Sequence, residues 1–193
     1  MKTKELTFTA LFAALSVVGA FLKINIPLPL YTMHFTLQWF FVLMAGFILG
    51  SRLGALSVMV YLLLGLSGLP VFASGGGIGY ILKPTFGFLI GFVFAAYAIG
   101  RLTEILKPTK VYQYVIPATV GLFVYYGFGA IYFYFMKNLY VGDAVSFGVV
   151  VVQYCLITII PDFILCVFAA AFTKQLKPMY NRIVFAGAQY NAY

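Results

Sequence analysis

The chain has 193 residues, of which 64% are hydrophobic and 8% are charged. A soluble domain carries about 25% charged residues, so this composition excludes an ordinary soluble globular protein. Twelve basic residues against four acidic ones give a net charge of +8, but the basic residues lie between apolar runs, where they indicate membrane orientation and not a nucleic-acid partner.

Apolar runs of about 20 residues recur along the chain and predict an all-α integral membrane protein with six transmembrane helices. The first run is long for a signal peptide and no small-x-small cleavage site follows it, so we expect a retained helix. The second and third runs are too long together for one span, and "GSRLG" predicts a hairpin turn between them. In a single domain, 1–193, the predicted spans are 6–22, 35–49, 53–66, 86–99, 112–136 and 147–172.

Two of the segments between spans are unusual in composition. The loop 23–34 contains Pro27 and Pro29, which break a helix. The segment "SGLPVFASGGGIGYILKPT" (67–85) is apolar but too rich in glycine and proline for a helix. Because non-helical backbone cannot face lipid, we expect 67–85 to form a lid over a pocket. The alternative is an ordinary external loop.

Six spans place both termini on one side of the membrane. By the positive-inside rule the side with more basic residues is cytoplasmic, so we expect cytoplasmic termini and an external lid in the cell membrane. The opposite side carries Lys23, Lys83 and Lys137. The terminal side carries nine basic residues: Lys2, Lys4, Arg52, Arg101, Lys107, Lys110, Lys174, Lys177 and Arg182.

One carboxylate lies well inside a predicted span. Asp162, in "TIIPDFILCVFAAAF", follows Pro161, which we expect to kink the sixth helix. A charge at that depth costs a few kcal/mol, so Asp162 should face a cavity or a partner. The alternative is a carboxylate satisfied by a neighbouring hydroxyl for packing alone. Tyr154 lies two turns earlier on about the same face.

Other polar groups are few and do not form a catalytic set. Thr36 and Gln38 begin the second span; they and Tyr154 could equally be interhelical hydrogen bonds or interfacial anchors. His34 is the only histidine, which leaves no zinc site and no histidine after "SGGG" for a serine protease; we expect it at the interface. No phosphate-binding loop for ATP is present, and no enzyme, metal or cofactor is expected.

The first helix carries a small-residue pair, Ala10 and Ala14, four residues apart on one face. Such spacing allows close helix–helix approach in lipid. The face could contact another subunit or pack within this bundle.

The run from "TLQWFF" to "FLIGF" (36–92) resembles the BioY family, the biotin-specific substrate-binding S components of energy-coupling factor transporters. The most specific parts are "GLPVFA", "GGGIGY" and the "PT-x-G" that follows. The resemblance implies external biotin capture, docking of Ala10 and Ala14 on the transmembrane coupling subunit, and two cytoplasmic ATPase subunits. The candidate ligand-binding residues are Asp162, Lys83, Gln38, Thr36, Tyr154, Gly76 and Tyr80.

The chain departs from the family pattern at two positions. Leu165 stands three residues after Asp162, where the family usually has lysine, and Lys83 stands where glycine is common. Our hypothesis is that Lys83 supplies the missing cation; alternatively, it points to water. Without that cation the ligand could be dethiobiotin, a neutral biotin derivative or another small vitamin, and a different class is a channel or interaction protein without a bound solute.

Overall fold

The fold is a bundle of apolar helices, and the computed structural model describes residues 3–28 and 32–185 of it. Lys2 and Pro29 therefore lie outside the described residues. Five helical segments are long and apolar enough to cross a membrane, which confirms a multi-pass, mainly helical protein. The α-helices are α1 (Thr3–Phe21), α2 (Gln38–Leu66), α3 (Phe86–Leu106), α4 (Val111–Phe135), α5 (Phe147–Val151) and α6 (Ile159–Phe185).

Helix α2 consists of two antiparallel limbs, 38–49 and 51–66. The backbone leaves helical geometry at Gly50, with φ 84° and ψ −174°. In a straight helix Gln38 and Tyr61 would be about 34 Å apart, yet the Gln38 amide donates a hydrogen bond to the Tyr61 hydroxyl at 2.8 Å. The hairpin predicted at "GSRLG" is confirmed, and it raises the number of long apolar helical segments among the described residues from five to six.

The α2 turn is held by a carboxylate from α3. Glu104 accepts hydrogen bonds from the backbone N–H of Ser51 at 2.8 Å and from its hydroxyl at 2.9 Å. These bonds cap the first turn of the second limb, whose N–H groups have no partner within the helix. A side chain at Gly50 would place its Cβ 2.7 Å from Glu104 Oε1, so both the positive φ and the close contact require glycine.

The loop after α1 forms a small sheet, which the all-helical prediction missed. Strand β1 (Lys23–Ile26) pairs antiparallel with β2 (Met33–Thr36), with Lys23 opposite Thr36. Four-residue strands are too short to show a clear alternating pattern in a sequence. The pairing satisfies backbone groups that the helix-breaking prolines leave without helical partners.

The lid, defined as residues 67–85, is irregular as predicted and lies against the helix ends. It contains one short 3₁₀ helix, Ile78–Leu82. Phe72 is buried between the rings of Tyr61 and Tyr80, at centroid distances of 5.4 and 4.5 Å. The lid backbone also contacts α2, because the Gly77 N–H donates to the Gly65 carbonyl at 2.7 Å. The apolar residues of the lid therefore anchor it to the bundle.

The sixth predicted span is interrupted and longer than expected. A π-helical turn, Val152–Leu156, follows α5, and the chain then makes a turn at 157–158 before α6. Pro161 cannot donate to the carbonyl of Ile157, which accounts for the break at this point. Helix α6 continues to Phe185, 13 residues beyond the predicted end at 172.

The two ends of the described chain lie on the same side of the bundle, as six spans require. The Lys4 ammonium, near the start of α1, donates to the carbonyl of Ile183, near the end of α6, at 2.8 Å. The rings of Phe8 and Tyr180 meet edge to face at 4.9 Å. The common side of the termini is thus confirmed for residues 3–185.

Candidate ligand-binding cavity

A cavity of about 90 Å³ lies under the lid, between the β-hairpin and the helices. Five of the seven candidate ligand-binding residues line it, although they are far apart in the sequence. Of the described lining residues none is a lysine or arginine. The lining comprises Met33, His34, Phe35, Thr36, Gln38, Trp39, Ala73, Tyr80, Thr85, Phe88, Leu89, Phe92, Tyr125, Tyr154 and Asp162.

Asp162 is the buried acid of the cavity, with 3% of its surface exposed. Its Oδ2 accepts hydrogen bonds from the hydroxyls of Tyr125 and, at 2.7 Å, Tyr126. The Tyr126 hydroxyl also lies 3.0 Å from the Thr158 hydroxyl. Neighbouring hydroxyls thus do satisfy part of this carboxylate, as the packing alternative expected. A carboxylate has about four acceptor sites, so Asp162 can still accept from a ligand.

Gln38 connects the β-hairpin to the lid through hydrogen bonds. The Thr36 hydroxyl donates to Gln38 Oε1 at 3.3 Å, and Gln38 Nε2 donates to the Tyr61 hydroxyl. The Tyr61 hydroxyl in turn donates to the Val71 carbonyl in the lid at 3.3 Å. Gln38 is buried and lines the cavity, so its amide is held in one orientation beside any bound molecule.

Aromatic rings form the wall beside Asp162. The Trp39 ring lies 4.5 Å from the Tyr125 ring and is stacked on Phe92 at 5.9 Å. Phe92 and Tyr125 are themselves 5.1 Å apart. This wall suits a flat, largely apolar ligand that carries a few polar atoms.

Lys83 and Gly76 belong to the lid but do not line the cavity. The Lys83 ammonium donates to the Ser74 carbonyl at 2.9 Å and to its hydroxyl at 3.0 Å, and it lies 4.4 Å from the centre of the Tyr80 ring. Lys83 is therefore bound within the lid and does not simply point to water. Burial lowers the pKa of Lys83 below its usual range.

The only histidine lies at the cavity and not merely at an interface. His34 Nδ1 donates to Asn25 Oδ1 across the β-hairpin at 2.7 Å. Burial, and then the positive charges of Lys23 and Lys83, lower the pKa of His34. The imidazole is therefore a neutral polar group of the cavity at neutral pH.

Sequence reasoning missed the two tyrosines that bind Asp162. Tyr125 and Tyr126 are adjacent in α4, within an apolar run. A buried tyrosine hydroxyl needs a hydrogen-bond partner, so a tyrosine pair in mid-span was a usable signal for the partner of a buried acid. Leu165, by contrast, is partly buried against the hydrophobic core and does not line the cavity.

Ala10 and Ala14 lie on the exposed face of α1. The buried face of this helix carries Phe12, Ala13 and Ser16 instead. The alanine pair therefore lies outside the packed interior of the described bundle. The face is free to contact another membrane protein or lipid.

Comparison with known proteins gives consistent matches over most of the chain. The BioY family model matches residues 1–182. A probable biotin transporter BioY of Lysinibacillus sphaericus is 41% identical over 93% of this chain and 89% of its own length. The biotin transporter BioY of Thermotoga maritima is 40% identical over 76% of this chain and 83% of its own length.

The fold also matches a solved structure, a crystal structure of the S-component for biotin from an ECF-type ABC transporter. The TM-score is 0.81 at 27% identity, and the match covers 92% of both chains. The family match, which ends at residue 182, includes the cavity, the lid and all but the last three residues of the described helices. The chain belongs to the BioY family.

Proposed function

We propose that this protein is the substrate-binding component of a vitamin uptake transporter and that it captures biotin from outside the cell. The observation that carries the proposal is the buried Asp162 carboxylate in an otherwise largely apolar and aromatic cavity. Family membership and the names of the relatives support biotin as the ligand. The proposed role is binding and contains no chemical step.

The chemistry of biotin complements this cavity. Its ureido group has two N–H donors and one carbonyl acceptor, and its fused rings and valeryl chain are largely apolar. In the proposed pose the Asp162 carboxylate accepts from a ureido N–H, while Gln38 donates or accepts beside it. The bicyclic ring lies against Trp39 and Tyr125. A molecule without the ureido group would leave these buried polar groups unpaired and bind weakly.

Biotin entry requires the cavity to grow. Pockets for small molecules usually hold about 300–1,000 Å³, against about 90 Å³ here. Besides the anchor at the buried Phe72, hydrogen bonds from neighbouring segments hold the lid: Lys23 donates to the Ala73 carbonyl, and Tyr132 donates to the Ile81 carbonyl. We infer that the lid moves outward to admit the ligand and closes over it afterwards.

Lys83 is the proposed partner of the biotin carboxylate. It lies behind Tyr80, which lines the cavity, and its ammonium is held at Ser74. When the lid moves, the ammonium can exchange Ser74 for the carboxylate at the end of the valeryl chain. This places the ureido group deep in the cavity, at Asp162, and the carboxylate near the lid.

A neutral derivative of biotin is the second candidate ligand. It is favoured by one observation: the described lining of the cavity contains no lysine or arginine. Such a ligand would use Asp162 and Gln38 in the same way and would not need Lys83. A biotin amide and dethiobiotin are the compounds that distinguish these candidates.

The proposed partners are the transmembrane coupling subunit and two cytoplasmic ATPase subunits of an energy-coupling factor transporter. The structural match to an S component of such a transporter supports a role within a transporter complex. The exposed face of α1 that carries Ala10 and Ala14 is the proposed docking surface for the coupling subunit.

Equilibrium binding of radiolabelled biotin to the purified protein in detergent tests the proposal. We expect saturable binding that unlabelled biotin abolishes, with a biotin amide as a weaker competitor. If the amide competes better than biotin, the neutral ligand is the correct one. Absence of saturable binding of any biotin-like compound to folded protein would overturn the proposal.

A further inference from the structure

A second, larger cleft opens at the end of the bundle opposite the ligand cavity. It lies where α3 ends, α4 begins and α6 ends, and it holds about 600 Å³. On α3, Phe88 of the cavity and Thr103 of this cleft are about 22 Å apart along the helix axis. The cleft is on the side of the termini, which the distribution of basic residues predicts to be cytoplasmic. Its charged lining residues are Glu104, Lys107, Lys174 and Lys177.

The cleft carries an excess of positive charge, with three lysines and one carboxylate in its described lining. Lys107, Lys174 and Lys177 form no salt bridge and no side-chain hydrogen bond within 3–28 and 32–185. The one carboxylate in the lining, Glu104, is already engaged, because it accepts two hydrogen bonds from Ser51 and lies 3.6 Å from Arg101. Three lysines thus face a cleft whose only acid serves to cap α2.

Two side chains in the cleft, those of Lys177 and Thr103, form no hydrogen bond among the described residues. The Lys177 ammonium lies 5.9 Å from the centre of the Tyr114 ring, within the range of a cation–π contact. The hydroxyl of Thr103, a residue that is 2% exposed, is buried and has no hydrogen-bond partner among the described residues. A buried hydroxyl without a partner is uncommon, and Thr103 is one of the residues that line this cleft.

The surface around the cleft is apolar. Ile105 and Leu106, in the last turn of α3, are 60% and 49% exposed. Tyr112, in the first turn of α4, is 63% exposed, and Leu176 on α6 is 40% exposed. Tyrosine near the end of a membrane helix is typical of the lipid headgroup region. A basic cleft bordered by exposed apolar side chains matches an amphiphile, with an anionic head and acyl chains, better than a soluble acidic protein.

We propose that this cleft binds the phosphate headgroup of an anionic phospholipid, with Lys107, Lys174 and Lys177 as the cationic partners. Basic pockets between transmembrane helices on the cytoplasmic side are suited to such headgroups. The acyl chains would lie along the exposed apolar residues of α3 and α6. This site is independent of the ligand cavity and of the proposed transport function.

Native mass spectrometry of the full chain in detergent, with phosphatidylglycerol and phosphatidylcholine added in equal amounts, tests the lipid site. The test variant is the double substitution Lys174→Gln and Lys177→Gln. The matched control is Arg52→Gln with Lys110→Gln, which removes the same charge from the same end of the bundle but outside the cleft lining. Thermal unfolding of each variant in detergent verifies that it is folded.

We expect the wild type and the control to retain phosphatidylglycerol preferentially. The double variant should lose this preference by roughly tenfold or more, because each basic residue near an anionic surface contributes about a factor of five. Equal retention of both lipids by the wild type, or a preference that persists in the folded double variant, would overturn the proposal. A further experiment adds inorganic phosphate to distinguish a lipid headgroup from free phosphate as the ligand. If millimolar phosphate displaces phosphatidylglycerol completely, the cleft binds free phosphate and the lipid assignment is wrong.

Discussion

The residue on which the ligand proposal depends most is Asp162. This residue is 3% exposed, and its carboxylate accepts hydrogen bonds from the hydroxyls of Tyr125 and Tyr126, which fix its orientation. A buried acceptor with fixed neighbours discriminates strongly, because a ligand that cannot donate leaves it unpaired. Asp162 therefore contributes to the choice of ligand as well as to affinity.

Substitution Asp162→Asn tests this role. Hydrogen bonds to charged groups contribute about 1.5–3 kcal/mol, so we expect the Kd for biotin to rise by roughly ten- to a hundredfold. Binding is measured with radiolabelled biotin on the purified variant. Tyr126→Phe, which removes one donor to the same carboxylate, should weaken binding less. A Kd for Asp162→Asn within twofold of the wild type would contradict the proposed contact.

The proposed pairing of Lys83 with the biotin carboxylate is tested by comparing the affinities for biotin, which is charged, and for a neutral biotin amide. An ion pair at a partly exposed position contributes at most about 1 kcal/mol, so Lys83→Ala should weaken biotin binding by about two- to fivefold. Binding of a biotin amide should change much less, and Lys83→Arg should retain most of the preference for biotin. If Lys83→Ala leaves biotin affinity unchanged, the lysine does not replace the one absent at Leu165.

His34 predicts a pH dependence of stability. Because burial and the neighbouring lysines lower its pKa, protonation favours the unfolded chain, where the pKa is about 6.5. The stabilisation is present above about pH 6.5 and decreases as the pH falls below that value. Thermal unfolding in detergent at pH 7.5 and 5.5 should therefore show a larger loss for the wild type than for His34→Asn. Equal losses in both proteins would rule out this histidine as the source.

At the scale of the elements, the α2 hairpin determines where Gln38 and Tyr61 meet. The turn is only a few residues long and depends on the backbone of Gly50 and on the cap by Glu104. Without the turn, Gln38, at the start of α2 beside the β-hairpin, could not contact Tyr61, near the end of α2 that continues into the lid. The cavity is thus partly a product of this turn at the opposite end of the bundle.

Gly50→Ala is the sharpest test of the turn. The φ of 84° with ψ near 180° is a region that only glycine adopts readily, and the new Cβ would contact Glu104 Oε1. We expect destabilisation of about 1–3 kcal/mol, measured by thermal or denaturant unfolding in detergent. The control is Gly127→Ala, a helical glycine whose Cβ would meet no atom within 4 Å. That change should be neutral or stabilising, and equal destabilisation by both substitutions would refute the argument.

At the scale of the whole molecule, the exposed face of α1 concerns assembly. Small side chains on a lipid-exposed face allow another helix to approach closely, which gives packing energy in a medium without a hydrophobic driving force. On α1 this face carries Ala10 and Ala14, which are both exposed. This face is separate from the ligand cavity.

Substitution of both Ala10 and Ala14 by leucine should abolish co-purification with the coupling subunit. Biotin binding by the isolated protein should stay within about twofold, because neither residue lines the cavity. Val120→Leu, on the exposed side of α4, is the control for added bulk and should leave co-purification intact. Retention of the coupling subunit by the double variant would remove α1 as the docking surface.

Much of this protein follows from local properties of the sequence. Apolar run length determines the membrane class and the approximate spans, since a helix needs about 20 residues to cross the bilayer. Glycine and proline determine that 67–85 is not a helix and that the chain turns near Gly50. The sequence also indicates Asp162 as a candidate binding residue, because a carboxylate in an apolar run needs a polar partner.

Only the tertiary structure decided which side chains meet. Tyr125 binds Asp162 across 37 positions of sequence, and Gln38 reaches Tyr61 across 23, distances that no local pattern encodes. The β-hairpin, the attachment of Lys83 to Ser74 and the exposure of the α1 alanines likewise depend on how the elements pack. Composition and periodicity specify what each segment can be, whereas contacts between segments are set by helix packing and by the requirement that buried polar groups find partners.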